Sequence, residues 1–298
     1  MRKAIILLLS AFIISNLVSA QEIITKDQTE LAPPTKLKDI LIPFSDTTAY
    51  YNPDSVRREM DKRPYFTLFK DNYFLVGAPL GTKPTKENSN VKFQISISQR
   101  LTKSTLPFNT YLYLTYTQKV IWNVFEKSMP MKDMNFNPGI GLGRMIIHKD
   151  RVIGFSYFQF EHESNGRDGE ESRSWNKISM YAGLQLNRYW DVQAKFWLPI
   201  IDGSLNKDIL DYSGIFQVSA NYNWSDRLTA GMVFVKRRGF NFNGNLQLGL
   251  SYKLFKNQNQ YLYLQYYNGY GEYLLDYNKY QSMLRIGLII RPQFFSIY

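Results

Sequence analysis

The sequence predicts an all-β protein, an antiparallel transmembrane β-barrel of about twelve strands. Three observations predict it. Apolar residues take every second position in one stretch after another. The stretches run about ten residues, the length that crosses a bilayer at a tilt. The connections alternate between short polar turns (148–151, 187–189, 224–227, 256–260) and longer loops (77–90, 123–135, 165–173, 202–211, 268–281). Outer-membrane barrels have short periplasmic turns and longer outside loops.

The chain opens Met1-Arg2-Lys3, continues apolar from Ala4 to Ile14 and reaches Ser19-Ala20. That is a basic start, an apolar run too short to span a bilayer and a small-residue cleavage site, so residues 1–20 are expected to be a signal peptide. No later stretch approaches the ~20 apolar residues of a spanning helix. Residues 21–65 carry Pro33-Pro34, scattered charge and no sustained period, and are expected to form a periplasmic N-terminal extension. The barrel then occupies 66–298.

Composition narrows the function classes. The formal charge is +11, two of it from Arg2 and Lys3. On an exported chain that balance suits anionic lipid surfaces and not nucleic acid. The absence of cysteine excludes disulfides and thiolate metal sites. Aromatics make up 16% of the chain, yet no long apolar run appears, which favours strands over helices as the spanning elements.

Strand phase can be read directly. Phe93, Ile95 and Ile97 alternate with Gln94, Ser96 and Ser98. Ile178, Met180, Ala182 and Leu184 alternate with Lys177, Ser179 and Tyr181, and Leu284, Ile286 and Leu288 with Arg285 and Gly287. With a periplasmic N-terminus the first barrel strand, near 72–76, runs outward, so the fifth, 152–164, ends at the cell exterior. On it Phe158, Phe160, His162 and Ser164 share one face. Its apolar members point to lipid, so His162 and Ser164 do too. The sixth strand places Asn176 in phase with Ile178 and Met180, again on the lipid face.

A serine hydroxyl becomes a nucleophile when an adjacent base takes its proton. A histidine serves as that base when a third group fixes its tautomer. Asn176 can orient the ring but lacks the charge that an aspartate would bring. A metal ion is then the obvious source of compensation for an oxyanion.

The stretch His162-Glu163-Ser164-Asn165-Gly166-Arg167, followed by Ser172-Arg173-Ser174-Trp175-Asn176, resembles the signature of the outer-membrane phospholipase A family. Two further segments match it: Tyr116-Thr117-Gln118-Lys119 with Trp122, and Gly269-Tyr270-Gly271-Glu272 with Asp276-Tyr277-Asn278. The resemblance covers most of 66–298. It implies a calcium-dependent enzyme hydrolysing acyl esters of outer-leaflet phospholipids and lysophospholipids, active as a homodimer, with its site at the extracellular side. Ser164 would be the nucleophile, His162 the general base and Asn176 the residue orienting it. The Arg167 carbonyl, Ser172, Asp168 and Ser128 of the partner subunit would hold Ca2+, and Gln118 would lie in the dimer interface. The family's acid two residues after the arginine is Gly169 here, with Asp168 one place earlier and Glu170 and Glu171 after it, which leaves the choice among these three acids open. The rival reading is a non-enzymatic barrel, either a channel or a relative that binds lipid without cleaving it.

Overall fold

The computed structural model describes residues 61–62, 64–103, 105–148, 151–200, 205–256, 258–292 and 297–298. The signal segment and residues 21–60 of the expected extension lie outside them. A first compact unit comprises Tyr65–His148 and Ile153–Tyr298.

The first unit is a sheet. A short β1 (Phe66–Leu68) precedes β2 (Asn72–Pro79), β3 (Asn90–Arg100), β4 (Tyr111–Trp122), β5 (Met131–His148), β6 (Arg151–Ser164) and β7 (Ser174–Gln185). Then come β8 (Trp190–Ile200), β9 (Phe216–Asn223), β10 (Leu228–Lys236), β11 (Gly244–Lys253), β12 (Gln260–Gly269) and β13 (Gln281–Ile290). Consecutive strands from β2 onward are neighbours, and β13 pairs antiparallel with β2. The sheet therefore closes into the expected twelve-stranded barrel, with β1 added against β3. Closure leaves no barrel edge, which is what hydrocarbon demands of a sheet. No helix among the described residues is long and apolar enough to cross a membrane.

Which side is polar separates this barrel from a soluble sandwich. Phe74, Phe158, Met180, Leu198 and Leu288 are each more than half exposed on the outer wall. Lys92, Ser96, Thr117, Gln159, Glu161, Lys177, Ser179 and Arg285 are buried inside. An apolar exterior around a polar interior is the transmembrane arrangement.

The interior is filled. Arg285 makes a two-pronged ion pair with Glu272, Nη1 to Oε1 at 2.6 Å and Nη2 to Oε2 at 3.2 Å. Lys92 Nζ donates to the same carboxylate and to Gln265, both at 3.1 Å. Lys195 pairs with Glu161 at 3.0 Å, and Tyr181 donates to that glutamate at 2.7 Å. Trp197 is buried as well. These long inward side chains occupy the space an open channel would need.

The β12–β13 loop closes one end. Leu274 N donates to Asn135 Oδ1 at 3.0 Å and Leu275 N to Asp133 Oδ2 at 2.9 Å, both acceptors belonging to β5. Leu274 and Tyr277 then pack with Trp175, Trp197 and Ile209, the last from a short helix α1 (Ile209–Ser213) between β8 and β9.

The long and short connections alternate as expected, with two additions. Residues 101–110, on the short-turn side, form a longer connection containing a 3₁₀ turn (Pro107–Asn109). Residues 237–243 form a further loop on the long-loop side.

Glu272 lies outside the strands. Burial alone would raise its pKa, but Arg285 and Lys92 pull it down to about 2. Its stabilising charge is complete above the ordinary value of 4.5 and is lost as pH falls toward 2. Glu272→Gln strands two buried cations and should cost about 3 kcal/mol. Heat-modifiability gels should show a lower unfolding temperature for the variant at neutral pH, with the difference from wild type narrowing as the pH is taken below the carboxylate range.

Candidate active site on the lipid-facing wall

The register of β6 against β7 sets His162 directly opposite Asn176 and Ser164 opposite Ser174. His162 Nδ1 lies 2.8 Å from Asn176 Oδ1. An amide oxygen only accepts, so Nδ1 carries the proton and Nε2 presents its lone pair. His162, Ser164 and Asn176 are each half-buried, on the same wall as exposed Phe158 and Phe160. The alternation read from the sequence therefore placed all three correctly, and it is the strand pair that brings histidine and asparagine into contact.

Behind this face the pair is cross-tied. Glu163, between the histidine and the serine, points inward and accepts from Trp175 Nε1 at 3.0 Å and from Lys177 Nζ at 2.6 Å. Trp175 and Lys177 are the residues on either side of Asn176. One carboxylate thus ties together the inward-pointing neighbours of all three lipid-facing residues. Asn137 of β5 adds a bond from its Nδ2 to the His162 carbonyl at 2.8 Å. Sequence reasoning did not assign roles to Glu163, Trp175, Lys177 or Asn137. The signal available for the first three was opposite charge and a ring donor on the inward phase of neighbouring strands.

The loop after Ser164 is folded around Asn165, which is 2% exposed. Its Oδ1 accepts from Arg173 N at 2.9 Å and its Nδ2 donates to the Glu171 carbonyl at 2.8 Å. Gly166 and Gly169 adopt positive φ, 64° and 60°, a conformation that suits glycine. Asp168 caps the 3₁₀ turn Gly169–Glu171 by accepting from Gly169 N at 2.8 Å. Arg167 pairs with Glu171 and donates to the Lys132 carbonyl. Lys132 in turn pairs with Asp276 of the β12–β13 loop at 2.9 Å, so this loop and the plug are linked.

Ser172, Arg167 and Asp168 thus stand in one nine-residue span, 165–173. Ser172 is half-buried and Asp168 exposed. Their available donors are a hydroxyl, a main-chain carbonyl and a carboxylate, all hard oxygens suited to Ca2+. The described residues contain no group of three or more His, Cys, Asp or Glu able to hold a metal, so waters and a second chain would have to complete such a site. Ser128 is exposed in the β4–β5 loop at the same barrel end. Gln118 sits half-buried on the lipid-facing phase of β4, where Tyr116 OH donates to its Oε1 at 3.3 Å.

Comparison with known proteins agrees with this arrangement. The profile of the family described as Phospholipase A1 matches residues 62–290. The Phospholipase A1 of Escherichia coli (strain K12) is 35% identical over 214 residues, which cover 68% of this chain and 70% of that protein. The structure of outer membrane phospholipase A from Escherichia coli matches with a TM-score of 0.66 at 29% identity, covering 77% of this chain and 99% of that one. That of the Salmonella typhi outer membrane phospholipase dimer with bound calcium also gives 0.66, at 28% identity, covering 81% and 99%. An inverted-polarity barrel, a histidine–asparagine pair beside a serine on its outer wall and these matches together show that the chain belongs to the Phospholipase A1 family.

Proposed function

We propose that this protein is an outer-membrane phospholipase that hydrolyses acyl esters of phospholipids from the side, in the outer leaflet, with Ser164 as nucleophile. The observation that carries the proposal is the 2.8 Å contact of His162 with Asn176 on the lipid-facing wall beside Ser164. A site turned outward meets acyl chains and headgroups, whereas one in the filled interior would meet neither.

In the proposed reaction Ser164 Oγ attacks the acyl carbonyl as His162 Nε2 takes the hydroxyl proton. The imidazolium then gives that proton to the departing glycerol oxygen. Lysophospholipid leaves, and the acyl group remains on Ser164. Water, deprotonated by the same nitrogen, attacks the acyl-serine, and as the acyl–oxygen bond breaks the imidazolium returns that proton to Ser164 Oγ and the fatty acid is released. Asn176 holds the ring in the tautomer this needs throughout. Because its amide is neutral, it orients the imidazolium without offsetting the charge.

Calcium fits the oxygen donors of the 165–173 loop. Ser172, the Arg167 carbonyl and Asp168 would hold it together with Ser128 of the partner subunit, and it would supply positive charge for the oxyanion. The Salmonella typhi relative is a dimer with bound calcium. A homodimer that meets along β4, with Gln118 at the contact, would place the partner near the site and give that half-buried amide a counterpart in hydrocarbon. The site then works at the extracellular side, the end at which the long loops gather.

The assay is fatty-acid release from mixed phospholipid micelles by the refolded chain. Ser164→Ala should lower the rate by about 10⁴-fold or more while the barrel keeps its heat-modifiable gel shift. Unchanged hydrolysis in that variant would refute the assignment. Asn176→Ala should act less severely, lowering kcat by about 10²-fold with little change in KM, since it removes orientation and not the nucleophile. A chelator should silence the wild type, and calcium should restore it. Hydrolysis that persists in chelator would contradict the metal's role.

A further inference from the structure

The β10–β11 loop carries two phenylalanines with no apolar partner on most of their surface. Phe240 is 109% and Phe242 96% exposed, the two highest values among the large apolar side chains described. The loop that presents them is internally bonded. Lys236, on the lipid-facing phase of β10, turns its ammonium up into the loop and donates to the carbonyls of Arg237 at 2.6 Å and Gly239 at 2.9 Å, and to Asn243 Oδ1 at 2.7 Å. Asn243 N donates to the Asn241 carbonyl at 2.8 Å, and Gly239 takes the turn at φ 104°.

The aromatic pair is also joined to the lipid-facing wall. Phe242 stacks on Phe234 with ring centroids 5.7 Å apart and planes 15° from parallel. Phe234 is in phase with exposed Met232 on β10. Its ring reaches this position by crossing Gly244, where a Cβ would stand 2.3 Å from the ring. The outer apolar surface therefore continues past the end of the strand and onto the loop. Basic groups lie beside it. Of these Arg238 is well exposed, with its guanidinium 3.7 Å from Asp211, whereas Arg237 turns inward, its Nε buried and its guanidinium over Tyr270 at 4.8 Å.

We propose that residues 237–243 are a membrane-docking wedge. Phe240 and Phe242 enter the headgroup and upper acyl region of the leaflet at the long-loop end, and exposed Arg238 meets lipid phosphate there. The occupant is the bilayer itself, because apolar rings continuous with the lipid-facing wall and flanked by an exposed arginine match its chemistry. The loop lies four strands from the β6–β7 pair, so the wedge sets the depth and tilt of the barrel at a distance from Ser164. It rests on the barrel's place in the membrane and not on the hydrolytic assignment.

The chain has no cysteine, so Phe240→Cys accepts a single nitroxide. The full chain is refolded into vesicles of phosphatidylethanolamine and phosphatidylglycerol, and the label's collisions with oxygen and with a water-soluble nickel complex are compared. Lys86→Cys, in the exposed loop between β2 and β3, gives the aqueous reference. The label at 240 should be several-fold less accessible to the nickel complex than that at 86, and more accessible to oxygen. Adding Arg238→Gln should make the label at 240 shallower in these vesicles, with a smaller change in pure phosphatidylcholine, and inorganic phosphate should not alter it. Equal nickel accessibility at 240 and 86 would overturn the proposal. So would dipolar broadening at 240 that disappears on dilution with unlabelled chain, since it would mark a contact between copies.

Discussion

The whole site depends on the register of one strand pair. Side chains alternate across a sheet, so shifting β6 by a single residue against β7 exchanges its two faces. His162 and Ser164 would turn inward, and Glu161 and Glu163 would face hydrocarbon. The structure resists that exchange with charge. Glu161 is held inside by Lys195 and Tyr181, and Glu163 by Trp175 and Lys177. The same bonds that fill the interior therefore keep His162 and Ser164 on the outer wall. Carboxylates belong on the inner face because there they meet the lysine, tyrosine and tryptophan donors that a lipid-facing charge would lack.

The interior charges have a second consequence. The barrel has the closed sheet of a pore and a lumen occupied by Arg285, Lys92, Lys195 and their acidic partners. Its mouth is crossed by the β12–β13 loop, anchored through Asn135 and Asp133. That loop reaches the candidate site by two paths, Trp175 packed with Leu274 and Tyr277, and Lys132 shared between Asp276 and Arg167. The plug is thus a buttress for the strand pair and its following loop. A hydrated channel would lack that support.

Much of this was legible in the sequence because a barrel strand is a local object with a two-residue period. Phase alone assigned His162, Ser164 and Asn176 to one wall, and the fourteen-residue separation of the last from the first is short enough for a hairpin to bring them together. What stayed hidden depends on distant pairings. Glu272 could be matched to a family segment, but its partner Lys92 lies 180 residues away. Nothing local announces that bond. The positive φ of Gly169 likewise appears only in the folded loop. The aromatic loop at 237–243 was passed over because two phenylalanines among polar residues carry no strand period. The expectations for residues 1–20 and 21–60 concern a part of the chain outside the described residues.

The central claim is that the nucleophile faces lipid. A pair of serine-reactive phosphonates, one with a long alkyl chain and one small and water-soluble, tests it on the barrel reconstituted in bilayers with calcium. Peptide mapping by mass spectrometry should find the alkyl reagent on Ser164, and the water-soluble one reacting far more slowly at that residue. Faster modification of Ser164 by the water-soluble reagent, or alkyl labelling at another serine with Ser164 untouched, would contradict the account.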